Sequence, residues 1–590
     1  MKNKPIWIAG ISRGHNASVS LLKDGELVFS IEEERLSRKK YDGSPFAAMT
    51  KILNYTDKLD YLIVAHTQSL EQTAGKIDFT GDDIYTGLAR KLGLIENSNV
   101  HPHPQVIDLS NIHHKLHAAC AFYNSGFDKA VAVIVDGSGS AIGIDYHGNN
   151  LLTWEVESII ECSYPSNFKT IYKHYATREP ICAAIDYLPS FSFGESGSHQ
   201  AVISDRAGIV KTYEAVTHYC GWNFIEAGKT MGLSPYGDDN DSIPQLFIKD
   251  CKVSLSNRNL FVPNYPNGAF VNSQVYDFLT CTFDKDDYSS LKNRRDLAYA
   301  VQIETQNQVL KLIKKAIEDT GCNNVIVSGG YGLNCVANTF YQTQLPNANI
   351  YIEPVSNDAG TSFGAAKLYH HNLTMSLKKQ PIETLYCGLD YNYSKNDISS
   401  LCNKYNFKER DVTSSEVADL LIENIVAIYQ GKSEIGARGL GNRSILFNPS
   451  IVNGKAIVNK VKKREEFRPF AGTILLEHAS EWFEMNGLKE SPFMMYALKC
   501  KDKYREKIPS IIHVDGTCRI QTITQKQNGY FYELIQNFYL KTHIPVVFNT
   551  SLNLNSEPIV ETINDAFSTL QRSEIQYLYL PEFSKLIVAL

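Results

Sequence analysis

Two stretches of the chain follow one pattern, and that repetition narrows the folds open to it. From Ile6 the order is an apolar run Ile6–Ile11, a polar turn Ser12–Asn16, a run Ala17–Leu22, an Asp24-Gly25 turn and a run Glu26–Ile31. The order returns as Ala130–Val135, the Gly/Ser-rich turn Asp136–Ser140, Ala141–Tyr146, His147-Gly148 and Leu151–Val156. Short apolar runs bounded by turn formers read as strands. Each stretch therefore predicts a β-meander, and the pair predicts an internal duplication.

Gly-rich turns expose backbone N–H groups that make anion-binding concavities. Two such meanders resemble the actin-like phosphotransferase arrangement, in which facing hairpins grip nucleotide phosphates. Further on, a long amphipathic helix, Asp296–Asp319, leads to strand Asn324–Ser328, a Gly329-Gly330-Tyr331-Gly332 turn and a helix Cys335–Tyr341. That is a second place where backbone can approach a nucleotide. It does not match the Gly-x-Gly-x-x-Gly fingerprint of a dinucleotide fold. Gly228-Lys229-Thr230 likewise fails as a P-loop, because position 223, where that motif needs glycine, is Asn. Its surroundings, Glu226–Leu233, read as loop.

Between the meanders, His113 and His117 stand four residues apart, and on a helix that spacing puts both imidazoles on one face. Lys115, Leu116 and Ala118–Phe122 favour helix, with Asn111 available as its cap. The pair reads either as half of a transition-metal site or as a solvated or hydrogen-bonded helical face. Asp358, opening the predicted helix Thr361–Tyr369, reads on its own as an N-cap.

A chain of 590 residues is too long for one core, so two or more domains are expected. The composition shift at Lys378–Pro381 marks a boundary, giving residues 1–379 and 380–590. A formal charge of −6 without a basic block argues against a nucleic-acid partner. The cysteines contain no Cys-x-x-Cys pair, which disfavours a disulfide framework. With no membrane-length apolar stretch and an N-terminal run too short for a signal core, a soluble cytoplasmic protein is expected, with homodimerisation left open.

The second half predicts helix Glu416–Asn424 and strand Ile425–Tyr429. It then gathers arginines among glycines, Arg438 and Arg443, followed by Lys460–Arg468 and later Arg519. Charge runs are commonly solvated faces. Arg438 and Arg443 sit instead in Gly-rich, apolar context, which favours a convergent anion pocket. Pro545–Phe548 reads as a strand entering the polar turn Asn549–Asn553.

Several motifs occur together: His15-Asn16-Ala17-Ser18, Glu33–Lys40, His113-His114-x-x-His117, Gly228–Leu233, Gly330–Asn334 and Asp358-Ala359-Gly360. In the second half come Glu434-x-Gly436-x-Arg438-x-Leu440–Leu446, Arg464-Glu465-x-Phe467–Ala471, His513–Thr517 and Asn549-Thr550-Ser551. In this order the chain resembles the NodU/CmcH family of carbamoyltransferases over almost its whole length.

The resemblance implies a mixed α/β enzyme: a duplicated actin-like first domain related to threonylcarbamoyl-transfer proteins, then a YrdC-like second domain. It implies His113, His117, Asp136 and Asp358 as ligands of Fe(II) or another divalent metal, and His15 at the transfer centre. Lys39, Gly137, Ser138, Lys229, Gly329, Gly330 and Asn334 would hold ATP with Mg. Arg438, Arg443, Lys463, Arg468, Arg519 and Asn549 would hold carbamoyl phosphate. The implied reaction cleaves carbamoyl phosphate, passes carbamate internally to ATP to form carbamoyl-adenylate, and carbamoylates a hydroxyl of a small natural-product or sugar-like acceptor. Ser163–Ser204, rich in Tyr, Phe and Ser, is the expected acceptor surface, built from loops. Two other readings stay open: tRNA threonylcarbamoylation, which the charge disfavours, and a non-catalytic nucleotide- or metal-binding regulator. Asn16 stands where the family commonly has Asp, Lys432 where Arg is frequent, and Ala437-Arg438-Gly439 replaces Pro-Arg-Ala.

Overall fold

The structure, a computed structural model, describes residues 4–67, 83–98, 100–190, 197–250, 253–272 and 292–589. The chain forms two compact units, residues 1–33 with 41–382, and residues 34–40 with 383–590.

Unit 1 contains one five-stranded sheet topology used twice. In the first sheet the order is β3-β2-β1-β4-β5, with β1 Trp7–Ser12, β2 Ser18–Lys23, β3 Glu26–Glu32, β4 Tyr61–Ala65 and β5 Val106–Asp108. β1 pairs antiparallel with β2, which pairs antiparallel with β3; β4 and β5 run parallel to β1. The second sheet contains β6 Lys129–Val135, β7 Ala141–Tyr146, β8 Asn149–Ser163, β9 Asn167–Thr177, β10 Ala184–Pro189 and β11 Ser198–Ser204, with β12 Asn324–Ser328 and β13 Asn349–Ile352. Its segment β9-β8-β6-β12-β13 repeats the first sheet in order and in strand direction. This is the duplicated actin-like, mixed α/β architecture.

The duplication differs in one respect from the periodicity of the sequence. β7 is not the central strand of the second meander but a hairpin attached to β8. At 15 residues β8 is long enough to serve two partners, its first part pairing with β7 and its later part with β6. Apolar periodicity marks strands but does not name their partners. Glu226–Leu233 is also not loop. A capping box between Asn223 and Glu226 starts a turn that continues as helix Ala227–Leu233.

Two helices, His113–Ser125 and Ala359–Thr374, pack in the main apolar cluster with Ile8, Ile63, Ile134 and Ile326. Their approach is backbone-close: a methyl added at Gly364 would stand 2.1 Å from the Leu116 carbonyl oxygen. Nearby, fully buried Glu353 accepts N–H bonds from Val355 (2.9 Å) and Asn124 (3.1 Å).

Unit 2 is built on a nine-stranded mixed sheet. Its central strands are Val426–Tyr429, Arg443–Phe447, Val546–Ser551, Ala471–Leu475 and Thr517–Ile523, in that spatial order. Ala471 lies opposite both Asn549 and Arg519, so those two residues share one row and one face. Segment 34–40 belongs to this unit: Arg35 donates to the Gly436 carbonyl (2.7 Å) and Arg38 to those of Ile559 (2.7 Å) and Pro558 (2.9 Å). No helix among the described residues is long and apolar enough to cross a membrane.

Burial pushes the Glu353 carboxyl up to about 7, against the bonds it accepts. A carboxyl whose pKa rises on folding stabilises most below its unfolded value, and that contribution is lost as pH climbs through the folded value. Relative to Glu353→Gln, the wild type should lose about 3 kcal/mol between pH 4.5 and 7; urea unfolding of both proteins at pH 5 and pH 8 measures it.

Candidate metal centre and anion site

His113 and His117 project from one face of their helix, as the four-residue spacing requires, and both are buried. Asp136 immediately follows β6, and Asp358 immediately precedes helix Ala359–Thr374. The four side chains offer ligand atoms that all lie within 4.8 Å of one another. The two Nε2 atoms are 3.1 Å apart. Asp358 Oδ1 is 3.5 Å from each of them, and Asp136 Oδ2 is 3.6 Å from that of His113. Asp358 makes no side-chain cap bond, so the reading of it as a helix cap is corrected. Asn111 does not cap the histidine helix either. It lies in a preceding 3-10 turn, and Ser140 Oγ accepts from the His113 amide at 3.0 Å.

Burial alone would push His113 down, but the Asp136 and Asp358 carboxylates outweigh it and hold the imidazole at about 10. Burial would raise both aspartates; the facing imidazoles keep each well below the usual carboxylate range. Opposite charges thus face one another across the group. Two imidazoles and two carboxylates, with no thiolate, suit a divalent first-row metal. Both Nδ1 atoms are buried without a partner, so Nδ1 is left to carry the proton when Nε2 binds. These residues fit a metal. His114 turns elsewhere, its Nδ1 2.7 Å from Ser158 Oγ.

The two Gly-rich turns meet at this centre. Gly330 N–H donates to Asp136 Oδ1 (2.9 Å). Gly329, at φ +87°, could not carry a side chain, since a methyl there would stand 2.4 Å from the Val135 carbonyl oxygen. Ser138 Oγ is buried with no partner in the turn after Asp136. The β1–β2 turn with exposed His15 lies close by: a methyl at Gly14 would be 3.8 Å from Asp358 Oδ2, and His15 contributes to lowering the Asp358 carboxyl. Asn334 is held by bonds within unit 1. Its Oδ1 caps Ala337 N (3.1 Å), and its amide donates to Gln302 Oε1 (2.9 Å). Lys229 pairs with Glu226 at 2.8 Å. Lys39 is exposed and falls in unit 2. Ser163–Ser204 is mostly strand, β9 to β11, and not the loop surface expected. Its residues 191–196, including most of Phe193–Gly197, lie outside the described residues.

In unit 2 the Gly436–Arg443 loop wraps around a carboxylate of its own. Glu434 Oε1 accepts from the amides of Leu440 (2.7 Å), Asn442 (2.8 Å) and Arg443 (3.1 Å). Arg443 is fully buried. Its guanidinium donates to the carbonyls of Gln430 (2.5 Å), Asn442 (3.0 Å), Gly431 (3.0 Å) and Glu561 (3.2 Å) and lies 3.7 Å over the Tyr429 ring. Its expected place in the anion pocket is therefore corrected: its donors are spent on backbone.

The cationic group lies instead around the Asn549–Ala471–Arg519 row. Lys463, at φ +54°, is the left-handed residue closing helix Gly454–Val461, with Lys463 N to Lys460 O (3.0 Å) and Arg464 N to Asn459 O (3.1 Å). That closure leaves Lys463 exposed and turns Arg464 inward, a residue that spacing alone did not single out. Arg464 lies 4.1 Å over the Phe470 ring and donates through Nε to Asn459 (2.6 Å). Burial, then the charges of Arg468 and Arg519, push its pKa well down. Arg464 Nη2, Arg519 Nε and Asn549 Oδ1 are buried without partners. Arg468 is 3.4 Å from Glu465, and Asn549 Nδ2 donates to the Gly439 carbonyl (3.2 Å), placing the Arg438–Gly439 turn at the row. Crowded cations with unused donors are relieved by a bound anion. Replacing Arg519 by Gln should weaken binding of inorganic phosphate roughly 10- to 100-fold, read by calorimetric titration. Arg443→Gln should instead cost about 3 kcal/mol of stability in urea unfolding, by stranding buried carbonyls.

Comparison with known proteins gives the family. The family model "Carbamoyltransferase N-terminus" matches residues 58–367, and "Carbamoyltransferase C-terminus" matches residues 417–585. Nodulation protein NolNO of Sinorhizobium fredii is 26% identical over 597 residues, covering 96% of this chain and 78% of that protein. The 3'-hydroxymethylcephem-O-carbamoyltransferase of Amycolatopsis lactamdurans is 24% identical, over 95% of each chain. Among solved structures, full-length HypF in its phosphate- and nucleotide-bound form aligns at a TM-score of 0.35 and 13% identity, over 63% of this chain and 47% of that one. The chain thus belongs to the carbamoyltransferase family of NodU/CmcH type, and it is a transferase.

Proposed function

We infer that the protein moves a carbamoyl group from carbamoyl phosphate, through carbamoyl-adenylate made with ATP, to a hydroxyl of a small natural-product or sugar-like acceptor. The observation carrying this reading is the buried row in unit 2. Carbamoyl phosphate joins a phosphate to an NH2 group. Arg464 and Arg519 offer unused donors to the phosphate, with Arg438 and Arg468 nearby, while the unpartnered Asn549 Oδ1 can accept from the NH2. A nucleotide-binding regulator has no use for such a site.

Hydrolysis of carbamoyl phosphate yields phosphate and carbamate. A carbamate oxygen then attacks the α-phosphorus of ATP, pyrophosphate leaves, and carbamoyl-adenylate results. The acceptor hydroxyl attacks the carbamoyl carbon and AMP leaves, the hydroxyl proton passing to a base. In unit 1 the Gly137, Ser138, Gly329 and Gly330 turns would cradle the nucleotide phosphates, with Lys229 beside them. His15, on the turn adjoining Asp358, serves as that base. His113, His117, Asp136 and Asp358 would hold Fe(II) or another divalent ion, which supplies positive charge beside the polyphosphate. Shielding from water protects carbamate, which otherwise decomposes. Dependence on ATP and carbamoyl phosphate suits the cytoplasm.

Incubated anaerobically with Fe(II), ATP and carbamoyl phosphate, the protein should release pyrophosphate and form carbamoyl-adenylate; ADP without pyrophosphate, or no turnover, would overturn the reading. His15→Ala should still form adenylate, while carbamoylation of a hydroxylated acceptor found by screening slows on the order of 100-fold or more. His113→Ala should lose the bound metal, measured by elemental analysis; full retention would remove His113 from the ligand set.

A further inference from the structure

We propose that Glu155, anchored by Lys173, is a positioning residue for the metal centre, locking together with Ser140 the imidazole-bearing helix to the turn that carries Asp136. The proposal rests on reading His113, His117, Asp136 and Asp358 as metal ligands.

The first amides of a helix have no intrahelical acceptor, and no neighbouring side chain caps helix His113–Ser125. The acceptors come from elsewhere in the chain. The amide of His113, itself a proposed ligand, donates to Ser140 Oγ at 3.0 Å, and the amide of His114 reaches Glu155 Oε2 at 3.4 Å. The same Glu155 oxygen accepts from the Ser140 amide at 3.1 Å, and Ser140 Oγ donates to the Ser110 carbonyl at 2.8 Å. Ser140 lies in the turn that begins at Asp136. A single carboxylate oxygen thus joins the helix holding two ligands to the turn holding a third.

Glu155 and Ser140 are wholly buried, and the other Glu155 oxygen meets Lys173 Nζ, which fixes the carboxylate's orientation. There is no slack in the turn. A methyl at Gly139 would stand 2.7 Å from His114 Cδ2 and 2.9 Å from Glu155 Oε2. Movement of Glu155 therefore passes to both elements. Ligand sets need placement to within about 0.5 Å, and the residues that orient them commonly set metal affinity.

The test uses the full chain and cobalt(II) as a coloured probe. Glu155→Gln keeps the volume but loses the charge that holds Lys173. Its Kd for cobalt(II) should rise roughly 10- to 100-fold, with a changed visible absorption spectrum. Ser140→Ala, a smaller change that covers failure of the first variant to fold, should shift both readouts in the same direction. A purely structural role lowers the unfolding midpoint but leaves Kd and spectrum at wild-type values in the folded fraction, and that result would overturn the proposal. If wild type takes up no cobalt(II), the metal-centre reading fails and this proposal fails with it; wild-type binding with unaltered variants sinks the positioning role alone.

Discussion

Four ionisable side chains within a few ångströms of one another, three buried and Asp358 largely so, are tolerable only if their charges compensate, and much of unit 1 follows from that demand. Two carboxylates alone would repel and protonate. Facing two imidazoles, they stay charged and hold His113 up at about 10. The arrangement also requires elements that converge on a point, which explains the backbone-close packing of the two central helices and the glycines where they touch.

Repeating one sheet topology provides that convergence. The β1–β2 turn carries His15, and the turn at the equivalent end of β6 carries Asp136. Gly329-Gly330, after β12, adds a further turn to the set. Short turns at strand ends can change in sequence without disturbing the sheets behind them, so chemistry concentrates there. Unit 2 solves a different problem. It buries cations, supporting some through backbone carbonyls, as with Arg443, and leaving others with free donors, as with Arg464 and Arg519.

How much of this could be read from the sequence depended on whether the signal was local. The i, i+4 spacing of His113 and His117 places them on one helical face, and turn formers delimit the strands. Asp136 follows one strand after that helix and Asp358 lies far along the chain, neither at a spacing that ties it to the histidines, and only family resemblance groups them with it. At the helix start Asn111 is near in sequence, whereas the acceptor Ser140 is near only in space. Arg443 and Arg464 show the same limit from two sides. Nothing in a Gly-rich arginine motif reveals which guanidinium faces carbonyls, and the left-handed residue at 463 decides which of two adjacent cations turns inward. Period-two patterning marks β7 as a strand but is silent about its pairing with β8.

The passage of residues 34–40 through unit 2 bears on how the protein can be made and divided. The chain leaves unit 1 after Glu33 and rejoins it at Tyr41, and Arg35 and Arg38 meet carbonyls 401 to 521 residues away in sequence. During synthesis this strip emerges early and must wait for nearly the whole chain before its partners exist. A fragment beginning at 383 would lack it, and one ending at 382 would carry two arginines stripped of their acceptors. The two units are separable as packed bodies but not as lengths of sequence.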